Sequence, residues 1–238
     1  MMPRPNLVRI EGPGEVLLLD KPMGWSSFDV VRKVRSILSV RKVGHAGTLD
    51  PLATGLLIVA TEGMTKSLER FALEEKEYRG SFELGVRTPS FDSETEVTER
   101  RDYSGLSRAD IVAALQRRVG RGVQVPPMYS AAKFGGRPLY RYARKGRTVV
   151  RAERDIEIRS FELGNFIPPI AEFSVVCSKG TYIRSLVDDV GTELGCGATL
   201  RSLRRMRIGS FKIEDAMSVE ELIARRGSRM HAFHPVPA

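Results

Sequence analysis

Residues 44–57 read GHAGTLDPLATGLL, and the chain on either side is arranged around what this stretch must do. Glycine, threonine and proline crowd the interval from 43 to 54, which marks a loop, and the apolar run from Gly55 to Ala60 marks a strand entered directly from it. Inside the loop Asp50 precedes Pro51. A proline ring disfavours helical backbone at the residue before it, so the Asp50 carboxylate is offered from a stiff, extended segment. His45 stands on the same loop. Taken alone, an Asp-Pro pair is more commonly a turn cap than a catalytic group, so the surroundings have to decide.

Upstream, Glu15 to Leu19 reads as a short buried strand, broken by the turn-forming run DKPMG at 20–24. Ser26 and Asp29 have the spacing of a capping box, and Val30, Val31, Val34, Ile37 and Leu38 recur at helical intervals. Downstream, Tyr78, Gly80, Phe82 and Leu84 alternate with Arg79, Ser81 and Glu83, the period of a strand. Ser107 and Asp110 open a second helix, with Ile111, Val112, Leu115 and Val119 expected inward and a stop near Gly120. Residues 121–150 hold Gly, Pro, Tyr and basic residues without a sustained apolar period, which predicts an exposed insertion. Phe173, Val175 and Cys177 alternate as a strand. A helix from Thr181 presents Ile183, Leu186, Val187, Val190 and Leu194 before Gly195 stops it. Ser218 and Glu221 cap a last helix, Val219 to Arg226, ended by Gly227 and followed by a loose tail; a loose start is expected before Gly14. The pattern predicts an α+β fold around one mixed, mostly antiparallel sheet flanked by helices.

The 238 residues, 42% of them hydrophobic, supply material for a globular core. Lys and Arg number 38 against 29 Asp and Glu, a formal charge of +9, which favours a polyanionic partner. The two cysteines, Cys177 and Cys196, form no disulfide framework and lack the paired spacing of a zinc site. The N-terminal stretch has no apolar signal core, and no apolar run is long enough to cross a bilayer. A cytoplasmic protein with no metal and no membrane association is the expectation.

Several blocks together resemble the TruB family of pseudouridine synthases. The 44–57 loop is similar to its catalytic motif, DKPMGWSS (20–27) to its first motif, KEYRGSFELG (76–85) to its tyrosine strand and SKGTYIRSLVDDVG (178–191) to its arginine motif. VPPMYSAAKFGGRPLYRYARKG (125–146) resembles the RNA-gripping thumb, and LRSLRRMRIG (200–209) a further signature. The blocks stand in the family's order over residues 15 to 225. The resemblance implies the pseudouridine synthase fold, with a catalytic domain over 10–215 that contains a thumb at about 121–150. A short helix and tail would follow over 216–238, leaving no room for the PUA-type module usual in the family.

The activity implied is isomerisation of uridine 55 in the T-arm loop of tRNA: the N1–C1′ bond breaks, the base turns and C5 is rejoined, with no cofactor. Asp50 would be the catalytic carboxylate, kept ionised by the adjacent guanidinium of Arg184. Tyr78 would stack on the flipped uracil and stand ready to take the C5 proton. His45 would support the refolded RNA loop, Tyr182 would line the base pocket, and Leu203 would form its apolar wall. Lys21 would order the loop with a possible RNA contact. Lys133, Arg137, Arg141 and Arg144, with Lys145 and Arg147, interleave with Tyr129, Phe134, Tyr140 and Tyr142 as suits phosphates and splayed bases. Arg201, Arg204, Arg205 and Arg207 are expected to border the same RNA-binding groove. The partner expected is tRNA, bound by a monomer with no obligatory protein partner. Two other readings stand beside this: a guide-RNA-dependent subunit, and a non-catalytic tRNA-binding or folding module.

Overall fold

In the computed structural model, residues 7, 8 and 14–231 are described, so most of the expected loose start and the end of the expected tail lie outside the described residues. The chain divides into two compact units, one of residues 1–74 and 204–238, the other of residues 75–203.

The first unit begins with β1 (Leu7–Val8), paired antiparallel with β2 (Val16–Lys21). The expected capping box then forms: the Asp29 amide donates to the Ser26 hydroxyl at 3.1 Å and the Ser26 amide to the Asp29 carboxylate at 2.9 Å, opening α1 (Ser27–Leu38). Next come β3 (Val43–Ala46), β4 (Ala53–Thr61) and α2 (Leu68–Leu73). β2 runs antiparallel to β4 from Val16↔Ala60 to Lys21↔Gly55. Both faces of this pair are covered. Val16, Leu18, Leu56 and Ile58 pack with Met64, Phe71, Ile208 and Ile213, while Leu17, Leu19, Leu57 and Val59 meet Val30, Val31 and Val34 of α1. Two-sided burial explains why β4 is continuously apolar rather than alternating. The stretch 43–46, expected as loop, is strand instead, because it pairs with β4 from Val43↔Thr61 to Ala46↔Ile58. Pairing satisfies backbone groups that glycine-rich local sequence does not foretell.

In the second unit β5 (Lys76–Leu84) is the strand read from alternation, and β6 (Val86–Arg87) pairs with β7 (Glu99–Arg100). α3 (Arg108–Gln116) is capped by Ser107 and Asp110. It buries Ile111 and Leu115, but Val112 and Val119, expected inward, are each 38% exposed. Gly120 opens β8 (Gly120–Gln124), a mostly exposed strand at the start of the expected insertion. The insertion also holds the hairpin β9 (Lys133–Phe134) and β10 (Arg137–Pro138) and a single helical turn, α4 (Tyr140–Ala143). β11 (Arg154–Ile167), β12 (Ile170–Cys177) and α5 (Ile183–Glu193) follow. The strand order is β5-β12-β11-β8, all antiparallel, with Phe161 and Phe82 both against Phe173 in the core. β13 (Ala198–Ile208) contributes its residues up to Leu203 to this unit and its remainder to the first.

The first unit is completed by β14 (Phe211–Lys212) and α6 (Val219–His231). The Ser218–Glu221 cap forms as read, but α6 continues through Gly227, which does not stop it. No helix among the described residues is long and apolar enough to cross a membrane, and no cluster of His, Cys, Asp and Glu among them could hold a metal ion. Both cysteines are free and buried, and burial pushes the Cys177 thiol up to about 12.

Candidate active site

Asp50 is part-exposed on a loop held by several anchors of the first unit. Ser27, the first residue of α1, clamps its neighbour: the hydroxyl donates to the Leu49 carbonyl at 3.2 Å and accepts from the Leu49 amide at 2.8 Å. On the other side the Pro51 carbonyl accepts from the Gly24 amide at 2.9 Å, and the Asp50 carbonyl accepts from Ala53 at 3.0 Å. The turn at 50–53 that Pro51 predicts is therefore closed by hydrogen bonds within the loop and to the DKPMG segment.

Lys21 ends β2 and is fully buried. Its ammonium donates to the carbonyls of Trp25 at 2.6 Å, Pro22 at 2.9 Å and Pro51 at 3.4 Å. Burial lowers its pKa from 10.5 to about 8, opposed by the Asp50 carboxylate and reinforced by Arg205. The expected loop-ordering contacts exist. The possible RNA contact is corrected, because the ammonium is turned inward onto main-chain carbonyls. His45 lies on β3, and burial first, then the Arg205 guanidinium, pull its imidazole below the ordinary 6.5 against a raising hydrogen bond with Gly47. Both effects favour the uncharged imidazole.

Arg205, expected at an RNA-binding groove, is 1% exposed. It donates to the carbonyls of Leu56 at 2.7 Å, Gly47 at 3.2 Å and Thr48 at 3.5 Å. Its neighbour Arg204 remains part-exposed and forks onto Asp20 at 2.6 and 3.0 Å. Gly55 is where β13 meets the loop: with φ at +101°, a Cβ there would lie 2.3 Å from the Arg205 carbonyl oxygen. Only glycine fits that approach.

In the second unit Arg184 is the second residue of α5 and is 3% exposed. It donates to the carbonyls of Tyr129 at 2.7 Å and Ser90 at 2.9 Å, and its Nε lies 3.5 Å from the equally buried Asp92 carboxylate. Arg184 is thus an enclosed cation and not a solvated one on the helix surface. Tyr182 caps α5, and the Gln124 side chain grips its backbone from β8, accepting from the amide at 2.7 Å and donating to the carbonyl at 3.1 Å. Tyr78 is buried on β5 opposite Val175, and Leu203 is part-exposed on β13. Asp92 and Gln124 escaped the sequence reading. Gln124 directly precedes the VPPMYS block, but neither residue carries a local signal for the partner it meets far along the chain.

Lys133, Arg137, Arg141, Arg144, Lys145 and Arg147 are all exposed. Arg144 lies over the Tyr140 ring at 5.4 Å and pairs with Glu94 at 2.9 Å, and Phe134 packs edge-on to Tyr142.

Solved structures place this fold among the pseudouridine synthases, enzymes that isomerise uridine. One, titled as a Cbf5-Nop10-Gar1 complex, matches with a TM-score of 0.73 and 29% identity over 93% of this chain and 57% of that one. Another, titled as an H/ACA RNP bound to a substrate RNA containing 2'-deoxyuridine, matches with a TM-score of 0.70 and 26% identity over 93% of this chain and 56% of that one. The chain belongs to the TruB family: the model for the TruB family pseudouridylate synthase N-terminal domain matches residues 35–183, and that for the tRNA pseudouridylate synthase B C-terminal domain matches 184–229. A tRNA pseudouridine synthase B of Chloroherpeton thalassium is 43% identical over 94% of this chain and 95% of its own length. One of Burkholderia mallei is 46% identical over 99% of this chain and 76% of its own, and one of Syntrophus aciditrophicus is 46% identical over 93% and 71%. The protein is accordingly an isomerase.

Proposed function

We propose that this enzyme converts uridine 55 in the T-arm loop of tRNA to pseudouridine, with Asp50 as its catalytic carboxylate. The observation that carries the reading is the loop itself: a part-exposed carboxylate, whose charge favours the Lys21 ammonium, on a segment pinned by Ser27, Lys21 and Arg205. A reacting carboxylate gains from being held rigidly where the substrate must come. That the substrate is tRNA is supported by the names of relatives covering nearly the whole chain.

Reaching a uridine inside a folded loop requires flipping it, at a cost on the order of a few kcal/mol. Stacking returns about 1–3 kcal/mol per base. Tyr78 supplies that stacking and takes the C5 proton, Tyr182 and Leu203 border the uracil, and His45 supports the rearranged RNA loop. Arg184, assigned to the catalytic set by family resemblance, is preset by Asp92 and two carbonyls. The insertion's Lys133, Arg137, Arg141 and Arg144 hold phosphates, while Arg204 is engaged by Asp20. The enzyme works in the cytoplasm as a monomer and needs no cofactor, because the reaction is redox-neutral and adds no group.

A second reading, a subunit dependent on guide RNA and partner proteins, draws on the titles of the structural neighbours. Their 26–29% identity stands against 43–46% for the relatives named as tRNA enzymes, which favours the first. Product and substrate have the same mass, so the test is tritium release. Purified protein alone should release label from C5-tritiated unmodified tRNA, and a tRNA with cytidine at position 55 should leave other uridines labelled. Asp50→Ala and Asp50→Asn should lower release by about 10⁴-fold or more, the scale of losing a reacting side chain. Undiminished release by both variants sinks the assignment of Asp50. Release that requires added RNA or protein favours the second reading.

A further inference from the structure

Arg205 combines three features. Its side chain is 1% exposed. Its nitrogens donate to main-chain carbonyls on both flanks of Asp50, those of Gly47 and Thr48 before it and that of Leu56 after it. Its own backbone is packed against Gly55, so close that a Cβ there would lie 2.6 Å from the Arg205 amide nitrogen. One residue of β13 therefore grips both stems of the loop that carries the carboxylate.

A cation buried against carbonyls is hydrogen-bonded but not neutralised, and such burial is costly. An apolar side chain at this point in a strand would fill the space at lower cost. What the guanidinium alone provides is a planar fork of donors, aimed along several fixed directions, which a flexible lysine ammonium does not reproduce. Gly47, with φ at +85°, turns its carbonyl into that fork, and a Cβ on it would sit 3.6 Å from Arg205 Nη1.

We propose that Arg205 is a positioning residue for the isomerisation: a buried template that sets the conformation of the 47–56 loop and thereby the location of the Asp50 carboxylate, and not an RNA-binding cation. The proposal rests on Asp50 being the reacting carboxylate. Displacement of a reacting group by about 1 Å costs on the order of 10²-fold in rate. Arg205→Met removes the fork, and Arg205→Lys keeps the charge but reaches fewer carbonyls.

Single-turnover tritium release at saturating tRNA, tRNA affinity as a function of salt, and cooperative unfolding are measured for both variants beside Asp50→Ala. The expected result is a rate at saturation about 10²-fold lower in Arg205→Met and at least about 10-fold lower in Arg205→Lys, with affinity and its salt slope as in the parent protein. Hydrogen exchange of the loop amides should quicken in the same order. Should Arg205→Met prove too unstable to assay, Arg205→Lys decides. A changed salt slope with an unchanged saturated rate would make Arg205 an RNA contact and overturn the proposal. An unchanged rate in Arg205→Lys with quickened loop exchange, or a rate loss that disappears on cooling to where that variant is fully folded, overturns it too. If Asp50→Ala itself retains turnover, the catalytic assignment fails, not merely this extension of it.

Discussion

Two regions of the molecule each carry four arginines, and they use them in opposite ways. On β13, Arg201 bonds Glu83 and Ser93, Arg204 forks onto Asp20, Arg205 is enclosed by carbonyls, and Arg207 donates to the Gly209 carbonyl. In the 125–150 insertion, Lys133, Arg137, Arg141, Lys145 and Arg147 stand exposed among aromatic rings. The first set is engaged by the protein. The second is presented to solvent, where a polyanion can collect it. Net charge counts both alike, so a basic composition overstates the cationic surface open to solvent and understates the electrostatic framework inside.

The contrast can be broken in measurable ways. Asp92 neutralises the buried Arg184, both under 7% exposed as side chains. Asp92→Ala should destabilise the protein by about 3–5 kcal/mol in urea unfolding, because it breaks a buried ion pair. A loss under about 1 kcal/mol would place that pair with the surface cations. Gly55→Ala should cost about 3 kcal/mol, from the clash with the Arg205 backbone and the positive φ, and wild-type unfolding in that variant would mean that β13 does not press on the loop as described.

Lys21 gives a pH signature. Its folded pKa of about 8 lies below 10.5, so between these values the unfolded chain holds a proton that the folded chain has released. Stability of the parent protein relative to Lys21→Met should therefore rise with pH across that window, by roughly 2–3 kcal/mol in all. A flat difference would mean that the ammonium is not desolvated. The smallest effects belong to the insertion. Arg141→Ala should leave stability within about 0.5 kcal/mol and reduce the salt slope of RNA affinity by about 0.7, the value for one phosphate contact on a single strand. Arg144→Ala should flatten it as well, by less to the extent that Glu94 already holds its charge.

Much of the fold was legible where signals are local. Ser26–Asp29, Ser107–Asp110 and Ser218–Glu221 each open a helix as their spacing states. The alternation from Tyr78 to Leu84 is a strand. β11 is not legible locally, because an irregularity between Ile158 and Ser160 breaks its alternation and shifts the period-two phase in the middle. β13 is not legible as a strand because its arginines mask the pattern. β3 looks like loop in the local sequence because its pairing partner, not its glycine content, makes it a strand.

The sequence by itself determined the chemistry on offer: a loop with an aspartate stiffened by proline, a tyrosine strand and an arginine at a helix start, in an order that names the family. It could do so because motifs, caps and periodicities are properties of residues close together in the chain. Which cations are enclosed and which face solvent was decided only by tertiary structure. Burial of Arg205 depends on Gly47, Thr48 and Leu56, some 150 residues away, and no local window contains both the charge and the carbonyls that surround it.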